Sequence, residues 1–126
     1  MLAQTMDGDF VSSEIHEGCV LVRVRFPHDL SVSEQERAAR ELIASADVGE
    51  GRPVIVDLCE ADAAYSRFLG ALLTLRRHEK ERGGEVLLAA TRPLVRQALE
   101  RCGLDQLFES FPTVDEAVKA AVPRLK

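Results

Sequence analysis

The stretch that decides the fold begins with PVIVDL at residues 53–58. This run is short, apolar and rich in β-branched residues, which is typical of a strand buried on both faces of a sheet. A second buried strand, EVLLAA, is predicted at residues 85–90. Between them, residues 66–82 repeat apolar side chains at helical spacing, and Gly83 and Gly84 end that helix. A strand, a helix and a strand in this order predict a right-handed crossover between parallel strands.

Two further strands and a helix precede this unit. Residues 10–15 and 19–26 are predicted strands, and the second one alternates apolar and basic side chains in its later half, which is the period of a half-buried strand. The Glu17–Gly18 pair between them predicts a tight turn and therefore an antiparallel hairpin. In the helix that follows, Ser31 or Ser33 is the expected N-cap.

Two helices and a short strand complete the chain. Thr91 is the expected cap of a third helix, with Pro93 in its first turn. Residues 107–111 predict a short last strand or an extended anchor. Thr113 and Glu116 form a T-x-x-E capping box for a fourth helix. The sequence therefore predicts an α/β fold with a mixed, mostly parallel sheet, an opening β-hairpin and about four helices.

The bulk composition fits a single globular domain. The chain has 126 residues, of which 46% are apolar, and this is enough to bury a core. We expect the domain at residues 10–122, with tails at residues 1–9 and 123–126. The formal net charge of -5 argues against non-specific nucleic-acid binding. The chain shows no signal peptide and no apolar stretch long enough to cross a bilayer, so we expect a cytoplasmic protein without membrane insertion.

The charged residues are unevenly distributed along the chain. An acidic set precedes a basic set, and we expect the two sets on different faces, an arrangement that orients a protein partner. The acidic set comprises Glu34, Glu36, Glu41, Asp47 and Glu50, and the basic set comprises Arg67, Arg76, Arg77, Lys80 and Arg82.

The motifs of common catalytic and cofactor sites are missing. The sequence contains no Gly-rich phosphate loop, no H-E-x-x-H and no G-x-S-x-G. The three cysteines form no C-x-x-C pair, so we expect reduced, largely buried thiols and no metal site. We predict a binding protein without a cofactor rather than an enzyme. The cysteines are Cys19, Cys59 and Cys102, and the isolated histidines, expected as exposed polar residues, are His16, His28 and His78.

From Pro53 onward the chain resembles the STAS family, the fold of bacterial anti-sigma factor antagonists. The resemblance rests on PVIVDL, on YSRFLGALLTL, on the double glycine before EVLLAA, and on GLDQLFESFPTVDEAVKA near the C-terminus. The opening hairpin and the first helix fit the same layout, so the resemblance covers about Phe10 to Val122. It implies a STAS fold for the whole domain.

The family's working motif, Asp-Ser-Ser/Thr-Gly-Leu-Gly, lies at the start of the second helix, where this chain has YSRFLG at residues 65–70. Ser66 falls where the family carries its phosphorylated serine, so the resemblance implies a phosphorylation site there. Tyr65, Arg67 and Phe68 depart from the motif. We expect Ser66 to lie at or just before the helix N-terminus, where its hydroxyl can cap the helix and a phosphate would meet the helix dipole and the Arg67 guanidinium.

The resemblance implies a partner-switching protein that binds an anti-sigma factor or a related serine/threonine kinase. Each expected contact has a plainer alternative, such as a helix cap for Ser66, a packing lid for Tyr65 and a solvated helix residue for Thr74. A degenerate STAS scaffold or a cytoplasmic transporter subunit without phosphorylation also stays open, as does a small-molecule or nucleotide sensor. The oligomeric state stays open, with a homodimer as one alternative. The expected contact residues are Asp62, Tyr65, Ser66, Arg67 and Thr74.

Overall fold

The computed structural model describes residues 5–27, 29–49 and 51–124. In these ranges six strands and four α-helices follow one another along the chain. The strands are β1 (Thr5–Asp7), β2 (Val11–His16), β3 (Cys19–Phe26), β4 (Val54–Ala61), β5 (Val86–Ala89) and β6 (Glu109–Phe111). The helices are α1 (Val32–Ser45), α2 (Ser66–Glu81), α3 (Pro93–Arg101) and α4 (Val114–Ala121).

The strands form one sheet in which each strand neighbours the next one along the chain. β1, β2 and β3 pair antiparallel, whereas β3, β4, β5 and β6 pair parallel. The hairpin between β2 and β3 turns at Glu17 and Gly18, whose φ angles of 51° and 85° are left-handed, as a two-residue primed turn requires. The mixed sheet with its opening hairpin confirms the predicted fold class.

The core is divided between the two faces of the sheet. In β4, Val54 and Val56 pack in one cluster with buried residues of α1, α2 and α3. Ile55 points to the other face and packs with buried residues of α4, because successive side chains of a strand point to opposite faces. α2 therefore buries one side against the sheet and leaves the opposite side to solvent.

The first strand lies inside the segment that we predicted as a tail at residues 1–9. Thr5–Asp7 pair with β2 at the edge of the sheet, while residues 1–4 lie outside the described residues. The turn into β2 is held by Glu41 of α1, whose Oε1 accepts hydrogen bonds from the amides of Phe10 at 2.9 Å and Val11 at 3.0 Å. A Cβ on Gly8 would lie 2.4 Å from the same oxygen and 2.8 Å from the backbone carbonyl oxygen of Val11, and the close approach of this backbone oxygen requires glycine.

Two of the predicted helix caps are confirmed and one is wrong. Ser31 caps α1 in a capping box with Glu34, and the Thr113 hydroxyl accepts the amide of Glu116 in α4. Thr91 does not cap α3, because the N-cap is Arg92, which makes no side-chain capping bond. A proline at the first helical position makes the preceding residue extended, and this puts Thr91 one residue too far from the first turn.

Two of the three cysteines contradict the prediction of buried thiols. Cys19 is buried, but Cys59 and Cys102 are exposed. Cys102 is the C-cap of α3, a position that faces solvent. Cys59 lies near the carboxyl end of β4, where the pairing with β3 shifts register between Arg23 and Arg25, and it is not part of the cluster that packs against α4.

The acidic and basic sets are only partly separated, because two residues of each set pair with each other. Arg67 of α2 pairs with Glu36 of α1 at 3.3 Å, and Arg82 pairs with Asp47 at 2.7 Å. The first ion pair joins α2 to α1, and the second joins the C-cap of α2 to the turn that follows α1. Glu50 and His28, which the sequence analysis also named, lie outside the described residues.

Candidate functional site

The site predicted around Ser66 lies at the carboxyl ends of the parallel strands. β4 ends at Ala61, residues 62–65 form a short connection, and α2 begins at Ser66. The connection is tied to the neighbouring strand, because the Asp62 amide donates to the carbonyl of Phe26 at 3.0 Å. In parallel α/β sheets, ligands are usually bound at the carboxyl ends of the strands.

Tyr65 anchors the start of α2 to the connection between β3 and α1. Its hydroxyl donates to the carbonyl of Pro27 at 2.9 Å and accepts the amide of Leu30 at 3.0 Å. Its ring meets the Phe26 ring edge-on, with the centroids 6.0 Å apart. These contacts give Tyr65 the packing role that was the alternative to partner binding, and they hold the backbone next to Ser66 in place.

Ser66 is the first residue of α2 and is exposed. The N-cap is Tyr65, which makes no side-chain capping bond, so the expectation that Ser66 caps the helix is wrong. Within the part of the chain that the structure describes, the Ser66 hydroxyl makes no hydrogen bond. The first helical bond runs from the Leu69 amide to the Tyr65 carbonyl, which leaves the preceding amides of the first turn without intrahelical acceptors.

Arg67 and Phe68, which replace motif residues, both have structural contacts. The Arg67 guanidinium lies 3.3 Å from the Glu36 carboxylate, across the gap between α2 and α1. Phe68 is 2% exposed, and its ring packs edge-on against Phe26 at a centroid distance of 4.6 Å. The charge of Arg67 is therefore engaged by α1, and a phosphate on Ser66 would compete with Glu36 for it.

Along the chain, Asp62 precedes Ser66 and Thr74 follows it. Asp62 forms an ion pair with Arg92 at the N-terminus of α3. The Thr74 hydroxyl donates to the Gly70 carbonyl at 3.1 Å, so it is satisfied within α2. The structure thus brings four predicted residues together at the start of α2 and places Thr74 two turns farther along the same helix. The four residues are Asp62, Tyr65, Ser66 and Arg67.

Sequence reasoning missed Arg92 as a member of this site. Arg92 comes from the connection between β5 and α3, which reaches the start of α2 only because β4 and β5 pair side by side. A shallow groove beside the site is lined by residues from β3, β4 and this connection. No local sequence pattern predicts the contact between Arg92 and Asp62. The groove residues are Arg25, Phe26, Pro27, Cys59, Glu60, Asp62 and Arg92.

The described residues contain no group of three metal-ligating side chains. None of the helices in the described ranges has the length and hydropathy needed to span a membrane. The groove that Asp62 and Arg92 line carries two ion pairs, Asp62 with Arg92 and Arg25 with Glu60 at 3.7 Å.

The STAS domain family matches residues 11–117 of this chain. The chain belongs to the STAS domain family. Among curated proteins, BtrV of Bordetella bronchiseptica (strain ATCC BAA-588 / NCTC 13252 / RB50), which is assigned as an anti-sigma factor antagonist, is 33% identical over 92 residues. That alignment covers 71% of this chain and 78% of BtrV. The family prediction is therefore confirmed.

Solved structures show the same fold at lower identity. A STAS domain protein from Planctomyces limnophilus superposes with a TM-score of 0.77 at 22% identity, over 88% of this chain and 97% of that chain. A sulfate transporter family protein from Wolinella succinogenes gives 0.69 at 20% identity, over 82% and 84%. The Bacillus cell fate determinant SpoIIAA in its phosphorylated form gives 0.63 at 18% identity, over 87% and 97%. At these identities the likeness shows the shared STAS fold.

Proposed function

We propose that this STAS protein is a cytoplasmic, non-catalytic partner-switching protein that binds an anti-sigma factor or a related serine/threonine kinase. The contact surface is the start of α2, with Asp62, Tyr65, Ser66, Arg67 and Thr74, and Ser66 is its phosphorylation site. The observation that carries the proposal is the exposed Ser66 at the first position of α2, where the family carries its phosphoserine. The relationship to BtrV supports the same class of partner.

The environment of Ser66 is compatible with a phosphate. The amides of the first turn and the positive end of the α2 dipole favour an anion at this position. Arg67 follows Ser66 directly and pairs with Glu36, and Arg92 pairs with Asp62, four residues before Ser66 in the chain. Phosphorylation adds up to about two negative charges. It therefore changes the charge of the contact surface strongly without requiring α2 to unfold.

The departures from the family motif preserve the backbone that presents Ser66. Tyr65 fixes the connection through its two hydrogen bonds, and Phe68 fills the core beneath the first turn. Arg67 bridges to α1 through Glu36. The substitutions therefore change which chemical groups surround Ser66, and we expect them to select a different kinase from one that reads the common motif.

Phosphorylation in vitro tests this function. The protein is incubated with ATP and a purified anti-sigma-factor-type serine kinase from the source organism, and modified peptides are mapped by mass spectrometry. We expect one phosphate on the peptide that contains Ser66 and none on the Ser66→Ala variant. Ser33→Ala, which changes another exposed serine in a first helical turn, is the matched control and should be modified like the parent protein. An unmodified Ser66, while the kinase modifies its own known antagonist, would refute the switch.

The second candidate function is a scaffold or cytoplasmic transporter subunit without phosphorylation. It is favoured by the altered motif and by the structural likeness to the Wolinella succinogenes sulfate transporter family protein. Affinity purification from the native organism separates the two functions. Recovery of membrane transport subunits with an unmodified Ser66 would support the second candidate, whereas recovery of a kinase or anti-sigma factor supports the first.

A further inference from the structure

One row of side chains runs along the solvent side of α2 from the predicted phosphorylation site towards the C-terminal end of the helix. Helical spacing of three and four residues places its members on one face. All of them are exposed. From Ser66 to Arg77 the row extends about 16 Å at 1.5 Å per residue. We call it the outer stripe, and its members are Ser66, Gly70, Leu73, Arg77 and Lys80.

Gly70 is not explained by the fold. A Cβ added at this position would meet nothing within 4 Å, and its φ is not among the left-handed angles of the described residues. Glycine inside a helix costs about 0.5–1 kcal/mol relative to alanine. The folded chain alone would therefore favour alanine, and the missing side chain leaves a notch in the outer stripe that a partner's side chain can occupy.

Next to the notch along the outer stripe, the Leu73 side chain is 39% exposed. Gly70 and Leu73 line the same shallow groove on the surface of α2. The notch and the Leu73 side chain form an exposed apolar patch, which offers a seat for one face of a helix.

The cations of the outer stripe are not neutralised by the domain itself. Within the described residues, Arg77 and Lys80 form no ion pair, whereas Arg67 of α2 and Arg82, the C-cap of that helix, do. Glu81 is the one acid among the described residues that line the groove along this end of the stripe. A chain with a net charge of -5 thus carries a local basic region beside an exposed apolar patch. This combination is complementary to an amphipathic segment with acidic flanks.

We infer that the outer stripe of α2 is the docking site for an acidic amphipathic helix of the protein partner, whose apolar side chains rest on Gly70 and Leu73 and whose carboxylates face Arg77 and Lys80. The inference rests on the proposed function and adds to it the chemistry of the partner. Two copies of this chain would fit less well, because of the two carboxylates in α2 Glu79 is buried and Glu81 alone is exposed. Self-association through the stripe would therefore bring the two cations of each copy, Arg77 and Lys80, against a single exposed carboxylate of the other copy.

A titration with two designed peptides tests the charge complementarity. One peptide is an amphipathic helix with leucines on one face and glutamates beside them, and the other carries lysine in place of every glutamate. NMR spectra of the isotope-labelled full-length protein should show shifts centred on Gly70, Leu73 and Arg77 with the acidic peptide. We expect it to bind about tenfold tighter than the basic one at low salt, with the difference shrinking at high salt. Equal affinity of the two peptides, or shifts centred elsewhere, would overturn the inference.

Variants of the chain make the test specific to the outer stripe. Arg77→Glu with Lys80→Glu should weaken binding of the acidic peptide about tenfold or more. Arg40→Glu with Lys119→Glu, which makes the same charge change at exposed positions on α1 and α4, should leave the binding unchanged. Gly70→Leu should weaken binding while the free energy of unfolding holds or rises, and Ala44→Leu, at an exposed position of α1, is its control. If the Gly70→Leu variant binds the acidic peptide as tightly as the parent protein does, the peptide does not dock at Gly70.

The same variants separate this inference from the proposed function when they are assayed against the kinase of the phosphorylation experiment. If the kinase binds both charge-reversed proteins equally, the outer-stripe inference fails and the proposed function survives. If the kinase does not bind the parent protein, the proposed function fails. The peptide titration then still tests whether the outer stripe binds an acidic helix. A concentration-dependent dimer in sedimentation that Arg77→Glu with Lys80→Glu abolishes would identify a second copy as the occupant and overturn the inference.

Discussion

The hydroxyl of Tyr65 donates a hydrogen bond of 2.9 Å to the carbonyl of Pro27, which lies 38 residues earlier in the chain. The same hydroxyl accepts the Leu30 amide. One side chain therefore satisfies two backbone groups of the β3–α1 connection and fixes that connection to the first turn of α2. A residue that departs from the family motif is thus a structural part of the surface that presents Ser66.

Replacing Tyr65 with Phe should reveal how much this hydroxyl contributes. The substitution keeps the ring against Phe26 and leaves two backbone groups without their partner, so we expect a loss of about 1–3 kcal/mol in the free energy of unfolding. Urea denaturation measures it. Tyr65→Leu, which also removes the aromatic contact, should lose more. Equal stability of Tyr65→Phe and the parent would show that water replaces both hydrogen bonds.

The carboxylate of Glu41 should be one of the strongest polar contributors to stability. It accepts hydrogen bonds from the amides of Phe10 and Val11, and hydrogen bonds to a charged group contribute about 1.5–3 kcal/mol. We expect Glu41→Ala to destabilise the domain by at least that much and to speed amide exchange at both residues. Glu36→Ala, which breaks a half-exposed ion pair with Arg67, is the matched control and should cost under about 1 kcal/mol.

The parts of the fold that could be predicted depend on local pattern. Local patterns within a few residues mark the apolar run of β4, the helical spacing of α2 and the turn at Glu17. The order of these elements could therefore be predicted from the sequence. β1 was missed because three exposed or half-buried edge residues show no pattern, and its turn is held by Glu41 from another element. The cap of α3 was placed one residue early because the restriction that Pro93 puts on Arg92 outweighed the capping tendency of Thr91.

The candidate site likewise has a part that local sequence patterns predict and a part that they do not. Ser66 was predicted as a site residue through the motif of the family, and the start of α2 was predicted through its apolar spacing. The partners that orient the site are contributed by segments distant in sequence: Pro27 bonds Tyr65, and Arg92 pairs with Asp62. Side-chain contacts of this kind follow from strand order and crossover geometry, and a single sequence does not contain them.

Cys59 should react slowly with alkylating agents despite its exposure. Burial of part of the side chain, followed by the hydrogen bond and the negative charge of Asp57, raises the pKa of the Cys59 thiol. The folded protein therefore holds the thiol proton more tightly than the unfolded chain does. The stability from this difference is fully present below the pKa of the unfolded thiol and is lost as the pH rises through the higher pKa of the folded state.

Iodoacetamide labelling with mass spectrometry measures the reactivity of Cys59. At pH 8 we expect slower labelling of this residue in the folded protein than in the protein unfolded in urea, because less thiolate is present. Asp57→Asn should speed the labelling of the folded protein, since it removes the charge that disfavours the thiolate. Labelling at the same rate in the folded and unfolded protein would contradict the raised pKa.

Two serines at the starts of neighbouring helices should respond very differently to replacement by alanine. Ser31 is the N-cap of α1, and its hydroxyl accepts the Glu34 amide at 3.2 Å, while Glu34 accepts the Ser31 amide at 3.0 Å. Ser66 is already inside α2, and its hydroxyl has no hydrogen-bond partner in the described part of the chain. We expect Ser31→Ala to cost about 0.5–2 kcal/mol and Ser66→Ala to change the unfolding free energy by less than about 0.5 kcal/mol.

The pH dependence of the two variants adds a second measurement. Hydrogen bonds from the backbone and side chain of Ser31 lower the pKa of the Glu34 carboxyl. A lowered pKa in the folded state means that this stabilisation is present above the pKa of the unfolded glutamate and is lost as the pH falls through the lower, folded value. Ser31→Ala should therefore differ from the parent most near neutral pH and least in acid. Ser66→Ala should follow the parent's stability at every pH, and a loss equal to that of Ser31→Ala would show that Ser66 has a structural role after all.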